Sequence, residues 1–125
     1  MFGPITVPYE SVMLWNVCTL KKGVVFSDVE ESIGYVCNTS KELSKGFICG
    51  QVFSYAGFLS EEGSFMDNPP EEINDHFLLV TYWKNFGVHE DSQKIEKVKK
   101  AFGELLEFCS ETKELGYNLQ WQGAK

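Results

Sequence analysis

The side chains best suited to move a proton or an electron pair are few here: two histidines and four cysteines in 125 residues. His89 opens the run His89-Glu90-Asp91-Ser92-Gln93, and on a helix that spacing stacks His89 and Gln93 on one face. Glu90, as His89's neighbour, points to another face. A histidine in a first helical turn is disfavoured as a cation by the helix dipole, so it stays neutral and can accept a proton. Cys37 is a nucleophile only where its surroundings lower its pKa. Asn16 interrupts an otherwise apolar row and must find partners or line a wet cavity. Asn16, Cys37 and His89 are the side chains to follow. Trp15, Tyr55, Tyr82 and Trp83 are the aromatic residues expected to line a pocket around them. His76 begins a strand and reads as a rim residue.

The elements that must position these residues follow from periodicity. Residues 1–11 carry Pro4 and Pro8 and read as an extended arm over a sheet edge. Val12 to Leu20 reads as a first strand, apolar on both faces: Val12, Leu14, Cys18 and Leu20 point one way, Met13, Trp15 and Val17 the other. Ser27 and Glu30 have capping-box spacing before a first helix, which buries Val29, Ile33, Val36, Cys37 and Leu43 and stops at Gly46. Phe47 to Leu59 reads as a second strand, with Phe47, Cys49, Gln51, Phe53 and Tyr55 on one face. Gly50 and Gly57 signal a bulge or a close backbone approach. Residues 60–75 form a loop rich in carboxylates, without Lys or Arg: a solvated connection or a flap packed by Phe65, Met66 and Ile73.

His76 to Trp83 is the third strand. A second helix is expected from Phe86 or Val88 to Ser110, with Ile95, Val98, Phe102, Leu105, Leu106 and Cys109 on its apolar side. A fourth strand is expected at Tyr117 to Gln122, with Tyr117, Leu119 and Trp121 on its inner row. This order, β-α-β twice, predicts one α+β domain over residues 1–125. Its form is the ferredoxin-like βαββαβ arrangement: a four-stranded antiparallel sheet with two helices on one face. Two helices leave the other apolar face uncovered, which predicts a homodimer packed sheet to sheet.

Composition removes several classes of partner. A formal charge of −7 lacks the basic footprint that nucleic acid or an anionic membrane requires. No apolar run approaches the roughly 20 residues of a membrane helix. The first residues lack a basic segment followed by a long apolar one, so a cytoplasmic protein is expected. The cysteines form no Cys-x-x-Cys pair and are expected to be thiols, with no zinc site.

The segment Thr81-Tyr82-Trp83-Lys84-Asn85, followed by a helix, resembles the antibiotic-biosynthesis-monooxygenase-like families of the dimeric α+β barrel superfamily. That resemblance implies an oxygen-dependent oxidoreductase. Haem-degrading members of the superfamily use an Asn on strand one, to which Asn16 is similar, and a Trp and a His on helix two. Here helix two has no Trp, and Phe102 falls where the His would be. Trp83-Lys84 followed by His89-Glu90 is similar to sulfur oxygenase reductases, whose motif continues to a second histidine for iron. In those enzymes a helix-one cysteine carries sulfur, and Cys37 before Gly46-Phe47 resembles it. On these likenesses Asn16, Cys37 and His89 are the candidate catalytic residues. The second histidine position is Gln93, and the late glutamate of the iron site falls near Asn118 or Leu119. No resident cofactor is therefore expected; iron at His89 is what the resemblance alone would imply. The expected function is oxygen-dependent oxidation of a small molecule in a pocket between sheet and helices, monooxygenase-like or sulfur-oxygenase-like. The alternative is a non-catalytic dimer that binds a small ligand.

Overall fold

A computed structural model describes residues 3–59, 65–66 and 75–125. Nine elements follow in order: β1 (Val12–Leu20), α1 (Phe26–Leu43), β2 (Phe47–Ser54), β3 (Phe58–Leu59), β4 (Phe65–Met66), β5 (His76–Trp83), α2 (Phe86–Ser92), α3 (Glu96–Leu106) and β6 (Cys109–Asn118). The main sheet has the order β2-β5-β1-β6 and every pairing in it is antiparallel. This is the expected ferredoxin-like arrangement, with β3 and β4 as a small separate hairpin. The acidic loop expected over 60–75 lies largely outside the described residues.

β1 forms because its β-branched and aromatic residues fit a pleated surface, and its burial alternates strictly along the strand. Val12, Leu14, Asn16, Cys18 and Leu20 are buried. They face the helices together with Phe77, Leu79 and Trp83 of β5, their register partners or next neighbours. The larger of two core clusters joins Cys18, Leu20, Phe77 and Leu79 to Val29, Ile33 and Val36 of α1 and to Ala101 and Leu105 of α3. The smaller joins Val12, Leu14 and Trp83.

Four sequence expectations are corrected. The first concerns the cap of α1: the Asp28 carboxylate accepts a hydrogen bond from the Val25 N–H at 2.9 Å, so Asp28 takes the role expected of Glu30 and the helix starts ahead of Ser27. Helix two is not continuous. It breaks over residues 93–95, where Lys94 N–H bonds Asp91 O and Ile95 N–H bonds Ser92 O in turns. The last strand begins at Cys109, not Tyr117, because β1 offers a free edge along its whole length and residues 109–118 pair with it. Tyr117 therefore lies opposite Met13 on the uncovered face, and Trp121 is exposed beyond the strand. In β2 the register shifts between Phe47 and Cys49. The shift turns Phe47 inward, edge-on to Trp83 at 5.2 Å between ring centres, while Cys49 pairs with Tyr82.

The segment ahead of β1 meets the residues that follow β6: Val7 O accepts from the Gln122 side chain at 2.9 Å, and Ser11 O accepts from Leu119 N–H. No helix among the described residues is long and apolar enough to cross a membrane.

Candidate active site

The site is assembled by α2. Its N-cap is Asn85, whose side-chain oxygen accepts from the Val88 N–H at 2.9 Å. Two glycines let this short helix sit close to the sheet. A Cβ on Gly116 of β6 would stand 2.9 Å from the Phe86 ring. A Cβ on Gly46 would stand 2.5 Å from Val88 Cγ2, and Gly46 holds a φ of 80° that favours glycine. With the first turn of α2 so seated, His89 is carried against the inner face of the sheet.

The His89 ring meets Trp83 edge to face at 5.0 Å between centres. Trp83 is itself fixed, donating from Nε1 to Thr81 Oγ1 at 2.7 Å. His89 Nε2 lies 3.2 Å from Glu114 Oε1 on β6, with side chains 14% and 37% exposed. Gln93 leans on the same ring, its amide nitrogen 3.5 Å from Nε2. Ser92 donates to His89 O at 2.7 Å and stiffens the turn beneath. Burial holds the imidazole below its ordinary pKa, against the opposing pull of Glu114 and then Glu90. The result is a neutral imidazole touching a carboxylate, a pairing able to accept a proton.

Asn16 reaches this site. It is buried, stands opposite Glu114 in the β1–β6 register, and donates to Leu79 O at 3.4 Å. Cys37 packs instead against the larger core cluster, and burial pushes its thiol pKa up. Burial likewise raises Cys49 and Cys109, and Cys18 rises to about 12, so no cysteine is set up as a thiolate. The aromatic residues expected to share one pocket divide between places. Trp83 is inside, by His89. Trp15 and Tyr82 lie on the uncovered face, where with Met13, Gln51, Phe53, Leu78 and Val80 they line a hollow of about 220 Å³. Tyr55 follows the end of β2 and lies over His76 at 4.6 Å, its hydroxyl buried and without a hydrogen-bond partner among the described residues. A cleft of about 280 Å³ runs between the end of α1 and α2, lined by Leu43, Lys45, Val88, Asp91, Ser92 and Ile95. Neither the hollow nor the cleft is lined by His89 or Cys37.

Glu114 is the functional candidate that sequence reasoning missed. Its signal was there once residues 109–118 are read as a strand: Thr112, Glu114 and Gly116 then share the row opposite Cys18, Asn16 and Leu14. Glu114, and not a residue near Asn118 or Leu119, is the carboxylate at His89. With Gln93 it makes a set of one imidazole, one carboxylate and one neutral amide. That set falls short of the two-His-one-carboxylate arrangement of non-haem iron, since an amide oxygen is a weaker donor than an imidazole. Among the described residues no cluster of three His, Cys, Asp or Glu side chains could hold a metal ion.

No protein-family model matches the chain, and no curated protein matches it in sequence. Solved structures do match. A cofactor-independent oxygenase from Streptomyces nogalater superposes with a TM-score of 0.64 at 8% identity, covering 90% of this chain and 96% of that one. A hydroxynitrile lyase from Passiflora edulis gives 0.65 at 8% identity, covering 94% and 100%. A dimeric ferredoxin-like protein from Thermobifida fusca gives 0.65 at 9% identity, covering 95% and 100%. At such identities the likeness concerns the backbone, and it joins proteins of different chemistry. The chain has the ferredoxin-like α+β fold of the antibiotic-biosynthesis-monooxygenase-like and dimeric ferredoxin-like proteins, the fold its Thr81–Asn85 segment led one to expect.

Proposed function

We propose that the protein is an oxygen-dependent oxidoreductase that works without a resident cofactor, with His89 as its general base. The observation that carries this reading is the neutral, mostly buried imidazole set against Glu114. The fold likeness to a cofactor-independent oxygenase agrees with it. The substrate class is a weakly acidic carbon compound, a CH2 flanked by carbonyl or aryl groups. His89 takes one proton. The resulting carbanion passes its electrons to O2 and binds it as a hydroperoxide. Loss of water leaves a ketone, so CH2 and O2 become C=O and H2O. The protons end in that water, and His89 returns to its neutral state. A dry site helps because it keeps the anion from being reprotonated by solvent.

The chain is further proposed to act as a homodimer, sheet to sheet. Phe53, Leu115 and Tyr117 are exposed on or beside the uncovered face, and a neighbour of the same fold is dimeric.

An oxygen electrode tests the enzymatic reading with a 1,3-diketone or an aryl-activated CH2 compound as substrate. One O2 should be consumed per ketone formed. His89→Asn should lower the rate by about 10²-fold or more, the usual contribution of a positioned base. Uptake that persists in His89→Asn, that requires added iron, or that vanishes in Cys37→Ala would overturn it. A second reading is favoured by the lyase of the same fold: proton transfer at carbon with no oxidation. It predicts exchange of substrate hydrogen for deuterium in His89-dependent fashion with no O2 consumed. Ligand binding in the outer hollow without any turnover would instead support an accessory protein.

A further inference from the structure

We infer that Glu114 is a positioning residue that locks His89 in one tautomer, Nε2–H, leaving Nδ1 as the nitrogen that takes the proton. This rests on the proposed role of His89 as a base, but it concerns the resting protein and is testable without substrate.

An ionised carboxylate only accepts hydrogen bonds. Glu114 Oε1 lies 3.2 Å from His89 Nε2, so that nitrogen must carry a hydrogen. Were Nε2 bare, two lone pairs would face each other across that gap. Gln93 pulls the other way, since its amide nitrogen could donate only to a bare Nε2, but that contact is longer at 3.5 Å and uncharged, and the same amide donates to Ser92 Oγ at 3.3 Å, so the carboxylate prevails. A neutral imidazole with its proton on Nε2 has its lone pair on Nδ1. The backbone makes the arrangement rigid. Glu114 lies within β6, paired residue for residue with β1, and Asn16 stands opposite it. His89 is backed by Trp83, and Ser92 holds the main chain of α2 below it. Neither partner can drift by a turn of helix or a step of strand without breaking those contacts. Among the described residues the charges that act on His89 are Glu114 on β6, which faces it, and more weakly Glu90, its neighbour on α2; Trp83, from β5, is uncharged.

The consequence for a reaction is directional. A proton accepted on Nδ1 makes an imidazolium whose other N–H points at the Glu114 carboxylate, which stabilises it at the moment the base is charged. Glu114 need not touch substrate or take a proton. Replacing it by glutamine keeps an acceptor oxygen and the shape but removes the charge.

Nitrogen-15 NMR of the His89 ring tests this directly in the unmodified protein. The expected result at pH above the imidazole transition is a protonated Nε2 and a pyridine-like Nδ1. A ring protonated on Nδ1, or a fast average of both forms, would overturn the inference with no variant needed. Two variants sharpen it. Glu114→Gln should keep the Nε2–H form and move the His89 titration midpoint down. Glu90→Gln should move it down by less, because its carboxylate is the lesser of the two pulls. A midpoint unchanged in Glu114→Gln, or moved more by Glu90→Gln, would also overturn it. If the tautomer is as expected and no substrate consumes O2, the oxidoreductase reading fails and the positioning role of Glu114 stands.

Discussion

The two faces of one sheet are built from the same kinds of residue and end differently. On the inner face β1 presents Val12, Leu14, Asn16, Cys18 and Leu20, none more than 6% exposed. On the outer face the same strand presents Met13, Trp15, Val17 and Thr19, all only half-buried. The apolar content is similar, but the polar content is not. The inner face holds a polar stripe, Asn16, Thr81, Glu114 and His89, each with a named partner or neighbour. The outer face holds an apolar surface around the hydrogen bond from Tyr82 OH to Gln51 at 3.1 Å, with the Lys113–Glu111 ion pair exposed at its β6 edge. Apolarity alone therefore tells which surfaces want covering. Buried polar groups placed with partners tell where chemistry can be done.

Substitutions on the two faces should separate these roles. The largest effect is expected inside. Phe77 is fully buried between β1 and the helices and meets Phe26 edge-on at 6.1 Å. Phe77→Ala should cost about 3–5 kcal/mol in urea unfolding. A cost below about 1 kcal/mol would mean that the larger cluster is not the core. On the outer face Phe53→Glu should change the stability of the single chain by no more than about 0.5 kcal/mol, since Phe53 is 47% exposed in it. Its effect should fall on assembly: sedimentation velocity should show the 14.2 kDa chain alone, where the parent protein is expected to sediment as a pair. The melting temperature should also stop depending on concentration.

The smallest effect concerns pH. Burial lowers the folded-state pKa of His89 below its unfolded value of 6.5. Between those two values the unfolded chain binds more protons, so stability is whole above pH 6.5 and falls as pH drops towards the folded pKa. Below the folded pKa this loss is complete. His89→Asn should flatten that part of a stability-versus-pH curve, as followed by thermal unfolding; a curve of unchanged slope would show that the ring is not held neutral.

Most of the fold was legible because its strands and first helix carry strong periodicity. The order of elements, the two faces of β1 and the stop at Gly46 all follow from residue type and spacing. The largest part of what was not legible has one cause: long-range pairing overrode local preference. The run Ser110-Glu111-Thr112-Lys113-Glu114-Leu115 is charged and follows a strong helical pattern, so by itself it reads as helix end and loop. It becomes a strand because β1 has an unpaired edge. The break over residues 93–95 has no glycine or proline to announce it. The site inherits these two misses. His89 and Asn16 could be chosen from the sequence, but the carboxylate that pairs with His89 and stands opposite Asn16 is visible only after β6 is placed beside β1. Cys37 was chosen by resemblance, and its surroundings in the core keep it a thiol. Trp15 and Tyr82 were expected in one pocket with Trp83, but strand alternation puts them on the opposite face of the sheet.

The division of labour between the faces is tested most directly by oxygen uptake in Phe53→Glu, once that variant is seen to sediment as a single chain. Each chain holds its own His89 and Glu114 on the inner face, so the expected rate per chain is that of the parent protein. A rate that falls in step with the loss of the dimer would contradict this, because the outer face would then be part of the active site.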